Sequence, residues 1–326
     1  MRTRRKVLQL ATAAAAVAAV SRIAGAQAYP ARPITMVVPF PAGGPTDTIG
    51  RVVAEGMRAS LGQPVVIDNV GGAAGSLATG KVARAAPDGY TIGLGSGTTH
   101  VANGAIYSLT YDVVTSFEPV SMLTIQPMVI VAKKTMQANT LQDLIAWLRA
   151  NPDKAAQGTA GAGSTSHLAG IFFQMETGTR YQFVPYRNTG MQDLMAGLID
   201  LMIDPAANSV PQVRAGTIKA YAVTSRTRTP AAPDVPTVDE AGLPALQITS
   251  WHGLWVPKGT PKDIIAKLNG AVVEALADPT VRRRLADLAN DTVPRDQQTP
   301  AALAAWQKAE IEKWWPIIKA AGIEAE

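Results

Sequence analysis

Short apolar runs alternate with stretches of helically spaced apolar positions between residues 34 and 94. The short runs are typical of buried strands, and glycine or proline marks the turns between them and the helical stretches. This order predicts strands at 34–38, 64–69 and 90–94 and helices at 48–61 and 71–85. Strands that alternate with helices in this way indicate a parallel α/β sheet covered by helices.

A second series with the same alternation occupies residues 156–224. Between the two series lies a β-prone run at 117–132, which is long enough to leave one sheet and enter another. We therefore predict a crossing between two domains near Gln126, and a return crossing in the β-prone run 248–256. The C-terminal part predicts helices with apolar faces at 262–277, 279–288 and 300–320.

Each half of the chain contains a glycine-rich turn that follows a predicted strand and opens a helix. The first spans residues 39–47, with Thr46 or Asp47 expected near the helix N-cap, and the second spans 161–167. Backbone N–H groups at a helix start lack intrahelical partners, and the positive end of the helix dipole lies there too. Such turns suit an anion. Neither turn is specific alone, but two of them at strand ends indicate a shared cleft.

Charge is concentrated at the N-terminus of this 326-residue chain, whose formal net charge is +5. Residues 1–28 hold five basic residues and no acidic one, so the remainder has 25 basic and 25 acidic residues. Because residues 29–326 have no net charge, the sequence does not predict nucleic acid or a membrane surface as a partner.

Residues 1–28 have the features of an export signal. A basic start at residues 4–6 precedes an apolar stretch at 7–20, and Ala26-Gln27-Ala28 forms a small-x-small cleavage site. The apolar stretch is shorter than the roughly 20 residues that span a bilayer. The start loosely resembles a twin-arginine signal. We expect the segment to be removed and the protein to be periplasmic.

Motifs for enzymatic chemistry are absent from the sequence. There is no cysteine, and His100, His167 and His252 lie far apart without metal-ligand spacing. Ser96 and Ser164 sit among glycines, but neither fits a nucleophile elbow. We expect no cofactor, no metal and no catalysis, although His167 is a conceivable general base.

Several short motifs, taken together, resemble the Bug or TctC-like solute receptors of tripartite tricarboxylate transporters. The opening motif is Val38-Pro39-Phe40-Pro41-Ala42-Gly43-Gly44 with Asp47 and Arg51, and the later ones include Ala86-Pro87-Asp88-Gly89-Tyr90, Gly161-Ala162-Gly163-Ser164 and Pro233-Asp234-Val235-Pro236-Thr237. The likeness covers residues 29–326. It departs from the family pattern at Arg187-Asn188, where Lys-Gly is usual, and at Gly104, where Pro is common.

The resemblance implies a type II periplasmic-binding-protein fold, with two α/β lobes, a two-strand hinge and a ligand in the cleft between the lobes. Lobe 1 would comprise residues 29–126 and 250–326, and lobe 2 residues 127–249. The expected function is capture of a small carboxylate by a monomer and its delivery to the large and small permease subunits in the membrane.

The resemblance also implies which residues bind the ligand, mainly through main-chain donors and ordered water. The expected ligand-binding residues are Phe40, Ala42, Gly43, Gly44, Asp47, Thr98, Thr99, Gly163, Ser164, Thr165, His167 and Asp204. Thr98 and Thr99 are expected at the end of a strand.

Some alternatives stay open at this point. Asp47 could cap the loop or helix instead of contacting an anionic ligand, whose charge it would repel. Asp204 could receive an amine or hydroxyl of the ligand or merely cap a turn, and Arg187 could be a surface cation or alter the pocket rim. A receptor for a sensor kinase and a periplasmic hydrolase are the alternative functions. The sequence does not name the carboxylate.

Overall fold

The structure is a computed structural model that describes residues 29–186 and 190–323. The predicted export signal at 1–28 and the departure at Arg187-Asn188 lie outside the described residues.

The strands follow the order predicted for the two α/β series. They are β1 Ile34–Val38, β2 Val65–Asn69, β3 Thr91–Ser96, β4 Phe117–Lys133, β5 Ala156–Thr159, β6 Gln182–Pro185, β7 Leu201–Pro205, β8 Ile218–Val223, β9 Thr249–Pro257 and β10 Asp291–Thr292.

The helices connect these strands and cover the sheet. They are α1 Pro45–Leu61, α2 Ser76–Ala83, α3 Asn103–Ile106, α4 Leu141–Ala150, α5 Thr165–Thr177, α6 Met191–Ala196, α7 Ala206–Arg214, α8 Lys262–Ala277, α9 Pro279–Asp287 and α10 Pro300–Ala320.

The strands join into one curled sheet with the order β2-β1-β3-β9-β4-β7-β5-β6, and β8 and β10 pair with β4 beside this path. The pairs β1–β2, β1–β3, β5–β6 and β5–β7 are parallel, as the alternating series predict. The pairs that β4 and β9 make are antiparallel. We call β1–β3, β9, β10 and the start of β4 the first half of the sheet, and β5–β8 with the end of β4 the second half.

Strand β4 belongs to both halves of the sheet. From Phe117 to Pro127 it pairs with β9, and from Met128 onwards it pairs with β7 and β8. The change of partners lies one residue from Gln126, where the sequence predicts a crossing. The last β9 pair joins Pro127 to Thr249, which is the start of β9, so the return connection reaches the sheet at the same place.

Buried apolar residues form cores in both halves. One core packs α1 and α8 on the first half and includes Met57 and Leu254, and another includes Met202 and Val210 in the second half. A third core contains Trp251 and Trp255 of β9 together with second-half residues such as Leu201, so apolar packing continues across the crossing. Within the described residues, no helix combines the length and the apolar composition that a membrane crossing requires.

The structure differs from the sequence prediction at several element ends. Helix α1 begins at Pro45 rather than residue 48, because proline is favoured at the first helical position. The prediction that Thr98 and Thr99 end a strand is wrong. Strand β3 ends at Ser96, and Thr98–Ala102 form a π-helical turn that leads directly into α3. Helix α3 and strand β10 were not predicted, because elements of 4 and 2 residues carry no periodic signal.

Gly56 allows α1 to pack closely on α8 and α9, and this contact generates a stability prediction. A Cβ atom on Gly56 would lie 2.8 Å from Ala275 Cβ and 3.0 Å from Val281 Cγ2. We expect Gly56→Ala to lower the free energy of unfolding by about 1–2 kcal/mol, measured by urea denaturation, because overpacking outweighs the better helix propensity of alanine.

Gly270 in α8 is the matched control, since a Cβ there meets nothing within 4 Å. Gly270→Ala should raise the free energy of unfolding by up to about 1 kcal/mol. Equal effects of the two substitutions would contradict the packing argument.

Candidate functional site

The first glycine-rich loop, residues 39–44, joins β1 to α1. Gly44 is the N-cap residue with an extended backbone and no side-chain cap, and Pro45 has no N–H to donate. The first helical hydrogen bond runs from Thr48 N to Gly44 O at 3.0 Å. The amides of Thr46 and Asp47 therefore lie ahead of the intrahelical ladder at the positive end of the dipole. Ala42 and Gly43 are exposed, so an incoming ligand can reach this loop.

The buried side chain of Asp47 holds the first loop in place through hydrogen bonds. Its Oδ2 accepts from Gly43 N at 2.8 Å and from Arg51 Nε at 2.9 Å, and its Oδ1 accepts from Asn69 Nδ2 at 3.0 Å. The side chain is only 2% exposed. Burial alone would raise the pKa of Asp47, but the hydrogen bonds from Arg51, Gly43 and Asn69 outweigh it and hold the pKa below its usual value. These contacts agree with the alternative in which Asp47 caps the loop rather than contacting an anion, and its side chain does not cap the helix.

The second glycine-rich loop, residues 160–164, joins β5 to α5. Ser164 is the N-cap residue of α5, and its hydroxyl accepts from His167 N at 3.2 Å. His167 Nδ1 in turn accepts from Gly163 N at 3.2 Å, so this nitrogen carries no proton. Ser166 Oγ accepts from Ala160 N at 3.0 Å. The Ser164 hydroxyl and His167 Nδ1 thus hold the loop, and they do not form a nucleophile–base pair.

Thr98 and Thr99 occupy the turn after β3 in different environments. Thr99 is fully buried, and its hydroxyl accepts from Ser96 N at 2.9 Å and contacts His100 Nδ1 at 3.0 Å. His100 is also buried and stacks on Trp255 with a centroid distance of 3.8 Å, and burial lowers its pKa to about 3. Thr99 therefore shapes the turn, whereas Thr98 retains 8% exposure.

Close approaches link these loops into one region. A third glycine-rich turn, residues 71–75, follows β2. A Cβ on Gly75 would lie 2.8 Å from both Pro39 Cβ and Thr99 Cγ2, so this turn packs between the first loop and the turn after β3. Asn103 Nδ2 of α3 donates to Ala74 O in that turn at 3.0 Å. At the other end of α3, a Cβ on Gly163 would lie 2.4 Å from Ile106 Cδ1. The second loop therefore rests directly on α3 of the first half.

Asp204 lies at the carboxyl end of β7 and is buried, with 4% exposure. Ser209 Oγ donates to its Oδ2 at 3.1 Å, and Asn208 donates a second hydrogen bond. Burial raises the pKa of Asp204 to about 7 despite these two donors.

His252 is a residue of this region that sequence reasoning did not assign to the site. Its Nε2 lies 3.5 Å from Thr46 Oγ1 at the start of α1, and its Nδ1 lies 3.3 Å from Thr124 Oγ1 in β4. Burial lowers the pKa of His252 to about 4, so the ring is neutral at physiological pH. A single buried histidine in an apolar strand gives no sequence signal for such a contact. Among the described residues, no group of three or more His, Asp and Glu side chains could hold a metal ion.

The contacts of Asp47 lead to a prediction about stability and pH. Asp47→Asn removes the charge that three donors share, and we expect it to lower the free energy of unfolding by about 2 kcal/mol at pH 7. Because folding lowers the pKa of Asp47, its contribution is present above the unfolded-state pKa near 4 and is lost as the pH falls through the folded value. The gap between wild type and variant, measured by urea unfolding, should therefore shrink below about pH 4.

Asp68→Asn is the control for this prediction, since Asp68 makes a more exposed ion pair with Lys81. It should cost less than about 1 kcal/mol. A loss at Asp47 no larger than at Asp68 would contradict the role of Asp47 in holding the loop.

Comparison with known proteins identifies the family. Residues 49–323 match the model of the tripartite tricarboxylate transporter family receptor, TctC. BugT of Bordetella pertussis is 35% identical over 312 residues, which is 94% of each chain. An Agrobacterium vitis protein of the UPF0065 group is 43% identical over 300 residues, covering 90% of this chain and 86% of its own length.

Solved structures agree with the observed fold. The comparison with the periplasmic binding protein BugD gives a TM-score of 0.81 at 40% identity. The match covers 91% of this chain and 100% of BugD. MatC of Rhodopseudomonas palustris with bound malate has the same TM-score of 0.81 and identity of 40%, covering 89% of this chain and 100% of MatC. A second R. palustris protein, with adipate, has a TM-score of 0.82 at 33% identity, covering 90% of this chain and 99% of its own.

The TctC and Bug homologues are solute-binding receptors and not enzymes. The chain belongs to the tripartite tricarboxylate transporter receptor family, the TctC or Bug proteins, and has their two-lobe α/β periplasmic-binding-protein fold.

Proposed function

We propose that the protein captures a small carboxylate in the periplasm, between its two lobes, and delivers it to the large and small membrane subunits of a tripartite tricarboxylate transporter. The supporting observation is the contact of the second glycine-rich loop with α3, which places two uncharged helix starts from different halves of the sheet in one region. The relatives with bound malate and adipate support a carboxylate as the ligand class.

Uncharged loops are well suited to hold a carboxylate. A carboxylate that leaves water needs most of its acceptor positions filled. Backbone N–H groups at two helix starts can fill them, and each helix dipole adds roughly 0.3–1 kcal/mol. Arg51, a cation beside the first loop, already donates to Asp47. Ordered water between loop and ligand would let the same scaffold accept acids of different length.

We propose Phe40, Ala42, Gly43, Gly44, Thr98, Gly163, Ser164, Thr165, His167 and Asp204 as the residues that line the ligand site, with Asp47 and Thr99 holding two of its loops. The lobe boundaries proposed are 29–126 with 250–326 for lobe 1 and 127–249 for lobe 2. The change of β4 partners after Pro127 supports them. Both glycine-rich loops come from one chain, which supports a monomer as the binding unit. Removal of residues 1–28 on export is part of the proposal.

A thermal-shift screen tests the ligand class. A single-site ligand at 100 times its dissociation constant should add about 2.7 kcal/mol to the free energy of unfolding. We expect at least one mono-, di-, tri- or aromatic carboxylate to raise the melting temperature by several degrees. The protein should first be unfolded and refolded to remove any co-purified ligand, and sulfate and phosphate serve as control anions.

No shift with any carboxylate would contradict the proposal. Uptake of the identified acid by cells with and without the gene then tests delivery, and unchanged uptake would favour the sensor-kinase alternative.

The contact between Gly163 and Ile106 gives a second prediction, about lobe closure. Gly163 has φ +71° and no space for a side chain, so Gly163→Ala should strain the loop and push it off α3. We expect the dissociation constant of the identified ligand to rise about tenfold, because the closed form becomes harder to reach. Isothermal titration calorimetry measures the change.

Gly161→Ala is the matched control, since Gly161 also has a positive φ of +97° but meets nothing within 4 Å. Ile106→Ala in the Gly163→Ala background should restore most of the lost affinity. Failure of this rescue, together with an equal loss from Gly161→Ala, would show that backbone strain and not closure is responsible.

A further inference from the structure

The charges of residues 29–326 balance overall but are unevenly placed in the fold. In the second half of the sheet, the first residues of β5, β6, β7 and β8 lie beside the last residues of β4. The register pairs that show this are Ala156–Gln182, Gln157–Leu201, Ala132–Leu201 and Lys133–Ile218. The turns at these strand ends therefore form one edge. This edge lies opposite the second glycine-rich loop, which follows the other end of β5.

We call this edge the far edge and define it as the turns 133–135, 152–154, 178–180, 197–200 and 214–217. Neighbouring turns approach each other closely. A Cβ on Gly197 would lie 3.9 Å from Lys133 Cδ, and a Cβ on Gly216 would lie 4.0 Å from Lys134 Nζ. Strands of a sheet are about 4.8 Å apart, so five neighbouring strands spread the far edge over roughly 19 Å. The far edge is therefore a broad surface.

The far edge carries a net charge of +3, the difference between five basic and two acidic residues. The basic residues are Lys133, Lys134, Lys154, Arg180 and Arg214, and the acidic residues are Asp153 and Asp200. Both acidic residues already form ion pairs within the edge, Asp153 with Arg180 and Asp200 with Lys133.

The other three basic residues of the far edge, Lys134, Lys154 and Arg214, have exposed side chains. They take part in none of the ion pairs found among the described residues. Their charges are therefore not neutralised by the protein itself, and they can meet the anionic groups of a partner.

Exposed apolar side chains lie at the same end of the second half. Met175 is 53% exposed, Met195 38% and Leu198 74%, and among the described residues they are the large apolar side chains of this half that stay exposed. Met175 and Met195 lie in the last turns of α5 and α6, and Leu198 lies in the turn before β7. Helix α5 begins at the second glycine-rich loop, so its last turn lies at the far edge. Apolar side chains exposed together in this way indicate an interaction surface.

We infer that the far edge binds an anionic phospholipid surface. Lys134, Lys154 and Arg214 meet the phosphate groups, and Leu198 with the two methionines enters the headgroup region. Exposed apolar side chains next to lysine and arginine are the combination that binds at a membrane interface. Lysine is depleted from protein–protein interfaces, which favours lipid over an acidic segment of another protein.

The position of the far edge is compatible with ligand capture. The glycine-rich loop and the far edge lie at opposite ends of β5, so a membrane bound to the far edge leaves the loop uncovered. Lipid binding also needs no carboxylate ligand. A failure of the inference is therefore distinguishable from a failure of the proposed function.

Co-sedimentation with lipid vesicles tests the inference. Vesicles of phosphatidylcholine and phosphatidylglycerol in equal parts provide the anionic surface, and pure phosphatidylcholine vesicles are the neutral control. We expect the partition coefficient to be at least about tenfold higher on the anionic vesicles at low salt, and to fall as salt shortens the Debye length. Residues 1–28 are basic and apolar and would bind vesicles themselves. The protein is therefore purified from the periplasm, and its mass is measured to establish that this segment is gone.

A triple variant tests the cations of the far edge. Lys134→Gln, Lys154→Gln and Arg214→Gln together should lower the partition coefficient on anionic vesicles about a hundredfold. A cation near an anionic membrane contributes about fivefold, the equivalent of ~1 kcal/mol. All three side chains are exposed, so the melting temperature should stay close to that of the wild type.

The matched control removes the same charges from the first half. Arg58, Lys262 and Lys267 are also two lysines and one arginine, are also exposed and also lie outside the ion pairs of the described residues. Replacing all three with glutamine changes the net charge by the same amount. It should lower the partition coefficient less than about threefold.

A double variant, Met195→Gln with Leu198→Gln, tests the apolar part of the surface. It keeps every charge, and we expect it to lower the partition coefficient on anionic vesicles about tenfold, because less apolar surface is buried on binding.

Three outcomes would overturn the inference. One is a wild-type protein that does not co-sediment with anionic vesicles at low salt, a result that needs no variant. If the far-edge triple variant nevertheless reduced solute uptake by cells, the edge would be assigned to an acidic protein segment instead. Another is an equal loss from the far-edge and control triple variants, which would show that net charge alone is responsible. The third is equal binding to anionic and neutral vesicles.

Discussion

The continuous strand β4 is the constraint around which both halves of the structure are arranged. Buried backbone N–H and C=O groups have to be paired along its whole length of 17 residues. Strands β9 and β10 supply the partners for its first part, and β7 and β8 supply them for its second part. The ladder changes partners after Pro127, which has no N–H to donate. The connection between the lobes is therefore an extended, paired strand rather than a loose linker.

One side chain satisfies the backbone where this ladder changes. Thr224 Oγ1 accepts from Met128 N at 2.9 Å and also contacts the carbonyl oxygens of Met128 and Ile248. It thereby joins the end of β8, the crossing in β4 and the chain that leads into β9. The chain passes between the two halves of the sheet at these backbone segments.

In the proposed ligand region, some polar groups hold the loops in place and others are left for a ligand. The side-chain oxygens of Asp47 and Thr99 accept hydrogen bonds from neighbouring backbone amides, and His252 contacts Thr46 at the start of α1. At the start of α1, the amides of Thr46 and Asp47 lie ahead of the intrahelical hydrogen bonds and can donate to a ligand. A charged loop would bind an anion more strongly but would also fix its position. Backbone donors held in place by buried polar contacts are already oriented before the ligand arrives, which reduces the ordering cost of binding.

Much of the first half could be predicted from the sequence, and the reasons why the rest could not are physical. Strand β1, the glycine-rich loop and α1 have local signals, and the crossing near Gln126 follows from the length of one β-prone run. Helix α3 is too short to show a period, and its contact with Gly163 joins residues 57 positions apart in the chain. The contact of His252 with Thr46 spans 206 positions. Contacts of this range depend on how the two halves meet, and single-sequence patterns do not contain that information.

Helix α10 shows how the two halves are joined away from the strands. Trp251 Nε1 of β9 and Trp314 Nε1 both donate to Glu310, at 3.2 and 3.1 Å. Lys313 Nζ donates at 3.2 Å to Gln247 O in the connection before β9, and its ammonium group lies 5.4 Å from the Phe172 ring of α5. Burial raises the pKa of Glu310 and lowers that of Lys313. Both groups are therefore partly shielded from water where α10 contacts the two halves. The C-terminal helix thus packs on the first half and also contacts the second. Separating the two halves would expose these groups to water, so these contacts favour the arrangement of the halves seen in the structure.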